Sequence, residues 1–191
     1  MKFIIMKKIC FILVISGALL RSCSKDGVDR SIFIQDDEDA RLPAYTEQGY
    51  NSFGAKYGND YFLVSSRFVP CQIEYGNNQL HFSLHGTING KEMRLVFIFP
   101  FESILDFKDL VQLNSEVIDL SDSDCVVKII QENAETIPDV SNGKIHFKRA
   151  QLLKIDDRAN RVILSGIFDV QFSQNALLST ISNGRFDLGI N

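Results

Sequence analysis

The sequence predicts an all-β fold: an antiparallel β-sandwich or a partly open β-barrel with one short helix. Three observations lead there. From Gln48 onward the apolar residues recur mostly with a period of two, not 3.6. Short alternating runs are separated by turn-forming residues at intervals of about ten. Asn89-Gly90 sits in the middle of QLHFSLHGTINGKEMRLVFIF and is the strongest short hairpin signal, favouring a type I′ turn.

The elements follow in chain order. Ser52 to Tyr57, Tyr61 to Ser65 and Phe68 to Tyr75 read as strands. In the Asn89-Gly90 hairpin, placing Ile88 opposite Lys91 sets Leu84 against Leu95, Phe82 against Phe97 and Leu80 against Phe99. Three apolar pairs then fall on one face, and such pairs stabilise a sheet. On the other face His85 meets Arg94 and His81 meets Ile98. FESILDFKDLVQL, with Ile104, Leu105, Leu110 and Val111, breaks the alternation and is the expected helix. Cys125 to Gln131 is a further strand.

A second hairpin, KIHFKRAQLLKIDDRANRVILSGIFDVQF, is expected to turn at Asp156 to Asn160. Its first strand changes phase between Phe147 and Leu152, which places a bulge near Arg149. Asn183-Gly184 is expected to supply a turn into a last strand, Gly184 to Ile190. Phe186, Leu188 and Ile190 would face inward there, with Arg185 and Asp187 outward. The structural expectation for Arg185 is a pair with Asp187 or Asp169; the functional one is a grip on a ligand carboxylate.

Ahead of these strands, Lys2, Lys7 and Lys8 precede the apolar run Ile9 to Leu20. Twelve residues fall short of the ~20 a spanning helix needs. The pattern reads as a secretory signal over residues 1–22, with Met1 or Met6 as its start. The run ends in Leu20, Arg21, Ser22 and Cys23, which resembles a bacterial lipoprotein box, although Arg21 is unusual in it. Cys23 would then be the lipidated N-terminus, and several acyl chains would hold it stably at a membrane. Ordinary secretion with a spare Cys23 thiol is the alternative. Residues 23–45, with the acidic run Asp36, Asp37, Glu38 and Asp39, read as a flexible tether with too little apolar surface to offset its ordering entropy. Residues 46–191 then form a single β domain.

Lys2, Lys7, Lys8 and Arg21 lie in the first 22 residues, which hold no acid, so the remainder carries 16 bases against 24 acids, a formal charge of −8. That balance excludes the basic stripe of a nucleic-acid binder. Cys71 and Cys125 each lie on the apolar side of a strand. They are either a disulfide in an oxidising envelope or two separate buried thiols.

Catalytic signatures are lacking: the sequence has no H-E-x-x-H, G-x-S-x-G, P-loop, G-x-G-x-x-G or C-x-x-C. His81, Ser83 and His85 share a strand face, but Arg94 beside His85 opposes a bound cation, and His146 is far along the chain. Asp119, Asp122 and Asp124 lack the spacing and glycine of a calcium loop. No cofactor and no metal is therefore expected.

EQGYNSFGAKYGNDYF (Glu47 to Phe62), LSGIFDVQF (Leu164 to Phe172) and SNGRFDLGIN (Ser182 to Asn191) resemble the small Bacteroidetes lipoproteins of unknown function. Those have a lipobox signal, a Pro-containing linker, a T-x-x-G-x-N-x-F-G opening and a closing G-R-F-D strand. A cysteine often follows their opening F-G; Ala55 stands there here. The resemblance implies an outer-membrane lipoprotein, periplasmic or surface-facing, and brings no catalytic residues. Three readings of function are carried forward: a non-catalytic binding or assembly module of unknown ligand or protein partner, a lipocalin-like carrier of a small apolar ligand, and a hydrolase with dispersed carboxylates.

Overall fold

In the computed structural model, eleven strands form one antiparallel sheet curled into a half-barrel. Residues 31–101, 104, 106–155, 158–174 and 176–191 are described; Cys23, with the signal and lipobox, lies outside them. The strands are β1 (Ser52–Tyr57), β2 (Asp60–Val64), β3 (Cys71–Gly76), β4 (Gln79–Ile88), β5 (Lys91–Pro100), β6 (Val117–Asp119), β7 (Val126–Gln131), β8 (Ala134–Thr136), β9 (Asp139–Ile155), β10 (Arg158–Gln174) and β11 (Leu177–Ile190). Their order is β6-β9-β10-β11-β1-β2-β4-β5-β7-β8, with β3 also on β4. The partly open barrel is thus the form the all-β expectation takes. At its seam, a slot of about 210 Å³ lies between the Leu120–Val127 stretch and Ile137–Val140.

The β4–β5 hairpin has the expected register in full: Ile88 faces Lys91, Leu84 faces Leu95, Phe82 faces Phe97 and Leu80 faces Phe99. Asn89 and Gly90 both have positive φ, 51° and 77°, as a type I′ turn requires. The expected helix is a 3-10 helix, Phe107–Leu113. Asp106 caps it by accepting from the Lys108 N–H at 2.7 Å, while the Asp109 carboxylate accepts from the Asp106 N–H at 3.1 Å. Leu110 and Leu113 are buried in the core.

The bulge expected near Arg149 is present. Ser165 faces Arg149 and Gly166 faces Phe147, leaving Lys148 unmatched. The hairpin turn is tighter than expected, because β10 already begins at Arg158; Asp156 and Asp157 lie outside the described residues. Asn183-Gly184 is not a turn. It sits inside β11, which starts at Leu177, and Asn183 uses its φ of 52° to make a bulge. A positive-φ dipeptide serves a bulge as well as a turn, and only the pairing partner decides which. The strand expected from Phe68 starts later, at Cys71, and β6 and β8 are short strands the alternation did not reveal.

Phe rings fill the interior. Phe82 packs on Phe97, Phe147 and Phe186 with centroids 6.1, 5.6 and 5.0 Å apart, and Phe97 packs on Phe168 at 5.3 Å. All five are at most 1% exposed. Two glycines make this approach feasible. Gly166 faces Phe186 and Gly184 faces Phe168 across β10–β11. A Cβ at Gly166 would lie 2.6 Å from the Phe186 ring, and one at Gly184 would lie 2.6 Å from Phe168. Each ring covers the glycine opposite, so the sheet bends sharply without a void.

Residues 31–45 correct the tether expectation. They belong to the same compact unit as the strands, which spans Ser31–Asn191. Gln35 bridges Pro43, Ala44 N–H donates to the Ile34 carbonyl at 2.7 Å, and Ile32 N–H donates to the Tyr50 carbonyl at 2.8 Å. Leu42 is fully buried. Composition underestimates this segment because its acids are not merely solvated. Arg185 donates to Asp36, and Tyr61 donates to Asp39 at 2.7 Å. Just beyond the segment, Arg149 donates to Glu47 at 2.9 Å.

Candidate functional site

Where the sheet leaves polar groups unspent decides where a site can lie. Asp187 is the most buried acid among the described residues, at 1% exposure, and it is fully spent. Its carboxylate accepts from Thr46 Oγ1 (2.5 Å), Gln48 N–H (3.1 Å), Gly49 N–H (2.6 Å), Tyr50 N–H (3.3 Å) and Ser165 Oγ (3.0 Å). Asn51 Oδ1 accepts from Gly189 N–H at 2.9 Å, and Gly49 holds φ at 73°. The stretches that open and close the strand region, Thr46–Tyr50 and β11, therefore meet at one carboxylate. Arg185 pairs with Asp36, not with Asp187 or Asp169. Asp187 is a structural clamp, its carboxylate taken up by five donors.

Several other acids are also engaged. Asp119 accepts from the Ser121 N–H and Oγ, Ser121 being the main cause of its lowered pKa, and Asp122 accepts from Asp124 N–H. Arg41 and Tyr61 hold Asp39 down to about 2. Arg149, and then Tyr45, lower Glu47.

The cysteines do not pair. Both are free. Cys71 faces Leu84, which faces Leu95, which faces Ile129, four residues beyond Cys125. Three strand spacings of about 4.8 Å separate their ladders, far beyond the ~7 Å Cα limit for a bridge. Burial raises the pKa of both thiols; at Cys125 the neighbouring Asp122, Asp119 and Asp124 add to it. Neither is a poised nucleophile.

The open ground lies on the outer face of β4 and β5. β2 and β3 are successive parts of one edge along β4: Val64 faces Gly86 and Cys71 faces Leu84. Between them Ser65–Pro70 leaves the sheet opposite His85, whose N–H donates to the Pro70 carbonyl at 2.9 Å. This excursion lays Phe68 flat on the His85 ring, centroids 4.0 Å apart and planes 18° apart. Beside it a groove of about 190 Å³ is lined by Val69, Cys71, Gln72, Ser83, His85 and Arg94.

His85 and Arg94 are cross-strand partners, as the register predicted. The hydrogen bond of His85 goes diagonally, however: its Nε2 lies 2.8 Å from Glu92 Oε1. Arg94 is half-buried and, among the described residues, its guanidinium has no hydrogen-bond or ion-pair partner. Ser83 shares the face but makes no hydrogen bond to His85, so Ser83, His85 and Glu92 lack the nucleophile–base contact of a triad. His81 stands over Ile98 and His146 over Ile167, in different parts of the sheet. Among the described residues no three His, Cys, Asp or Glu side chains converge as metal ligands.

A shallower groove of about 330 Å³ lies over the Asn183 bulge, between Lys144, Asp169, Gln171 and Thr180. Its cation and acid are register partners, so it offers no unbalanced charge. Sequence reasoning placed His85 and Arg94 side by side. It missed the Phe68 stack and the Glu92 bond, because both depend on where the interrupted edge strand runs.

No family model matches the chain, and no curated protein or solved structure matches it significantly. Among the described residues no helix is long and apolar enough to cross a membrane.

Proposed function

We propose that this chain is an outer-membrane lipoprotein, anchored through lipid on Cys23, whose β domain is a non-catalytic binding module for a carboxylate-bearing ligand. The observation that carries the ligand class is the Arg94 guanidinium in the outer groove, unpartnered among the described residues and framed by Ser83, Gln72 and the His85–Phe68 stack. A half-buried guanidinium presents a planar fork that matches a carboxylate bidentately. Val69 and Phe68 add an apolar wall for the rest of such a ligand. Glu92 also borders the site, and its bond to His85 keeps one of its oxygens occupied.

Two other readings are weaker. A lipocalin-like carrier needs an interior cavity, and here Phe82, Phe97, Phe147, Phe168 and Phe186 are in ring contact. A hydrolase needs acids with perturbed environments meeting in a cleft, and the buried acid Asp187 is saturated by five donors.

The ligand reading is tested by NMR titration with benzoate and with benzamide, which share a shape and differ in charge. Benzoate is expected to shift the Ser83, His85 and Arg94 resonances, and Arg94→Met to abolish the response. Equal response to benzamide, or an unchanged response in the variant, would refute it. The anchor is tested separately by radiolabelled palmitate in growing cells: label is expected on the wild type and absent from Cys23→Ala.

A further inference from the structure

The described segment ahead of the sheet opens, just after Ser31, with three consecutive exposed apolar side chains: Ile32 at 50%, Phe33 at 41% and Ile34 at 43% exposure. They are not loose. The Ile32 N–H donates to the Tyr50 carbonyl at 2.8 Å and the Ile34 carbonyl accepts from Ala44 N–H at 2.7 Å, so the backbone holds them as a fixed ridge. An extended chain turns Phe33 opposite to Ile32 and Ile34. All three nevertheless stand clear of the core, which lacks them entirely.

The ridge lies at one end of the sheet. Tyr50 precedes Asn51, which binds Gly189 near the end of β11. β10 begins at the same end: Val162 faces Ile190, and the neighbouring Arg161 faces Leu153. Leu153 is also exposed, with exposed Lys154 beside it. Apolar side chains next to a long cationic one suit a bilayer interface, where the amine reaches the phosphates.

We propose that this end of the domain lies on the lipid surface, with Ile32, Phe33 and Ile34 inserted among the headgroups. The inference rests on the reading of Cys23 as the lipidated residue. Chain length commits it to a bilayer. Ser24–Arg30 is the only chain between Cys23 and Ser31, and at most about 3.5 Å per residue keeps Ser31 within about 28 Å of the anchor. The opposite end of the sheet has its own exposed pair, Leu177 and Leu178, at 71% and 75%. It stands the length of β11 away, roughly 40 Å at ~3.4 Å per residue. The anchored protein thus presents one apolar end to lipid and holds the other away from it.

The chain has no tryptophan, so a single introduced one reports alone. The full-length lipidated protein carrying Phe33→Trp, Ile34→Trp or Leu177→Trp is reconstituted into vesicles of phosphatidylethanolamine and phosphatidylglycerol doped with brominated phosphatidylcholine. Palmitate labelling is checked on each sample. Emission from Phe33→Trp and Ile34→Trp is expected to fall at least two-fold relative to unbrominated vesicles, and that from Leu177→Trp to stay unchanged. Labelled protein whose ridge tryptophans are unquenched would overturn the proposal, as would equal quenching at Leu177→Trp. Concentration-dependent pairing that shields the ridge from bromine would assign it to a second copy instead. Absence of palmitate would fail the anchor itself and take this inference with it.

Discussion

The outer face of the sheet is treated in two ways. Over β11 and β1, residues 31–50 fold back and seal it, with Leu42 buried and Asp187 receiving five hydrogen bonds. Over β4 and β5 the six-residue excursion Ser65–Pro70 is what covers it among the described residues, and among them Arg94 has no partner. A carboxylate can be buried only where the chain brings enough donors to replace water. The first region has that chain and becomes a clamp. The second lacks it among the described residues, and its cation is the basis of the ligand reading proposed above.

The sharpest way to break this contrast is Asp187→Ala. It strips the acceptor from three backbone N–H groups and two hydroxyls, and leaving buried donors unpaired should cost at least ~3 kcal/mol in urea denaturation. A loss below about 1 kcal/mol would mean that the clamp does not hold the segment. Arg185→Met comes next. It removes the charged partner of Asp36 at a site where both side chains are less than a fifth exposed, and about 1–2 kcal/mol should be lost. Hydrogen exchange should speed up at residues 31–50 and stay slow in β9 and β10; uniform acceleration would contradict a local latch.

Acid should loosen the same latch. Asp36 is lowered chiefly by the Asp39 N–H, Asp39 by Arg41 and Tyr61 to about 2, and Glu47 by Arg149. A depressed folded pKa adds stability that is complete above the unfolded carboxylate range near ~4 and is lost as pH falls through the folded value. Protection of residues 31–50 should therefore fade as pH drops from about 4 towards 2, ahead of the strands. Simultaneous loss in β9–β11 would count against it. The smallest effect belongs to the open region. Arg94→Met should change stability by less than ~0.5 kcal/mol while removing the benzoate response.

Much of the fold was legible because sheet periodicity is local. The β4–β5 register followed from one Asn-Gly and three apolar pairs, and the Lys148 bulge from a phase change in a single strand. The Asn183-Gly184 bulge was not legible, since the same dipeptide makes a turn when no third strand lies alongside. The candidate site was half visible. Adjacency of His85 and Arg94 follows from register, but Phe68 arrives from a strand broken between Val64 and Cys71, and nothing in the local pattern marks that break.

By itself the sequence determined the all-β class, the central hairpin, the inward aromatic faces and the expectation of a lipid-bearing Cys23, because each depends on neighbours within a few residues or on composition. Tertiary structure alone decided three things: that residues 31–45 belong to the folded domain, that Cys71 and Cys125 stand apart, and that Asp187 is a clamp while Arg94 has no partner among the described residues. Each of these depends on which donors, acceptors and strands arrive from tens of residues to more than a hundred residues away, or fail to arrive. A linear pattern of apolar and polar residues carries no record of that.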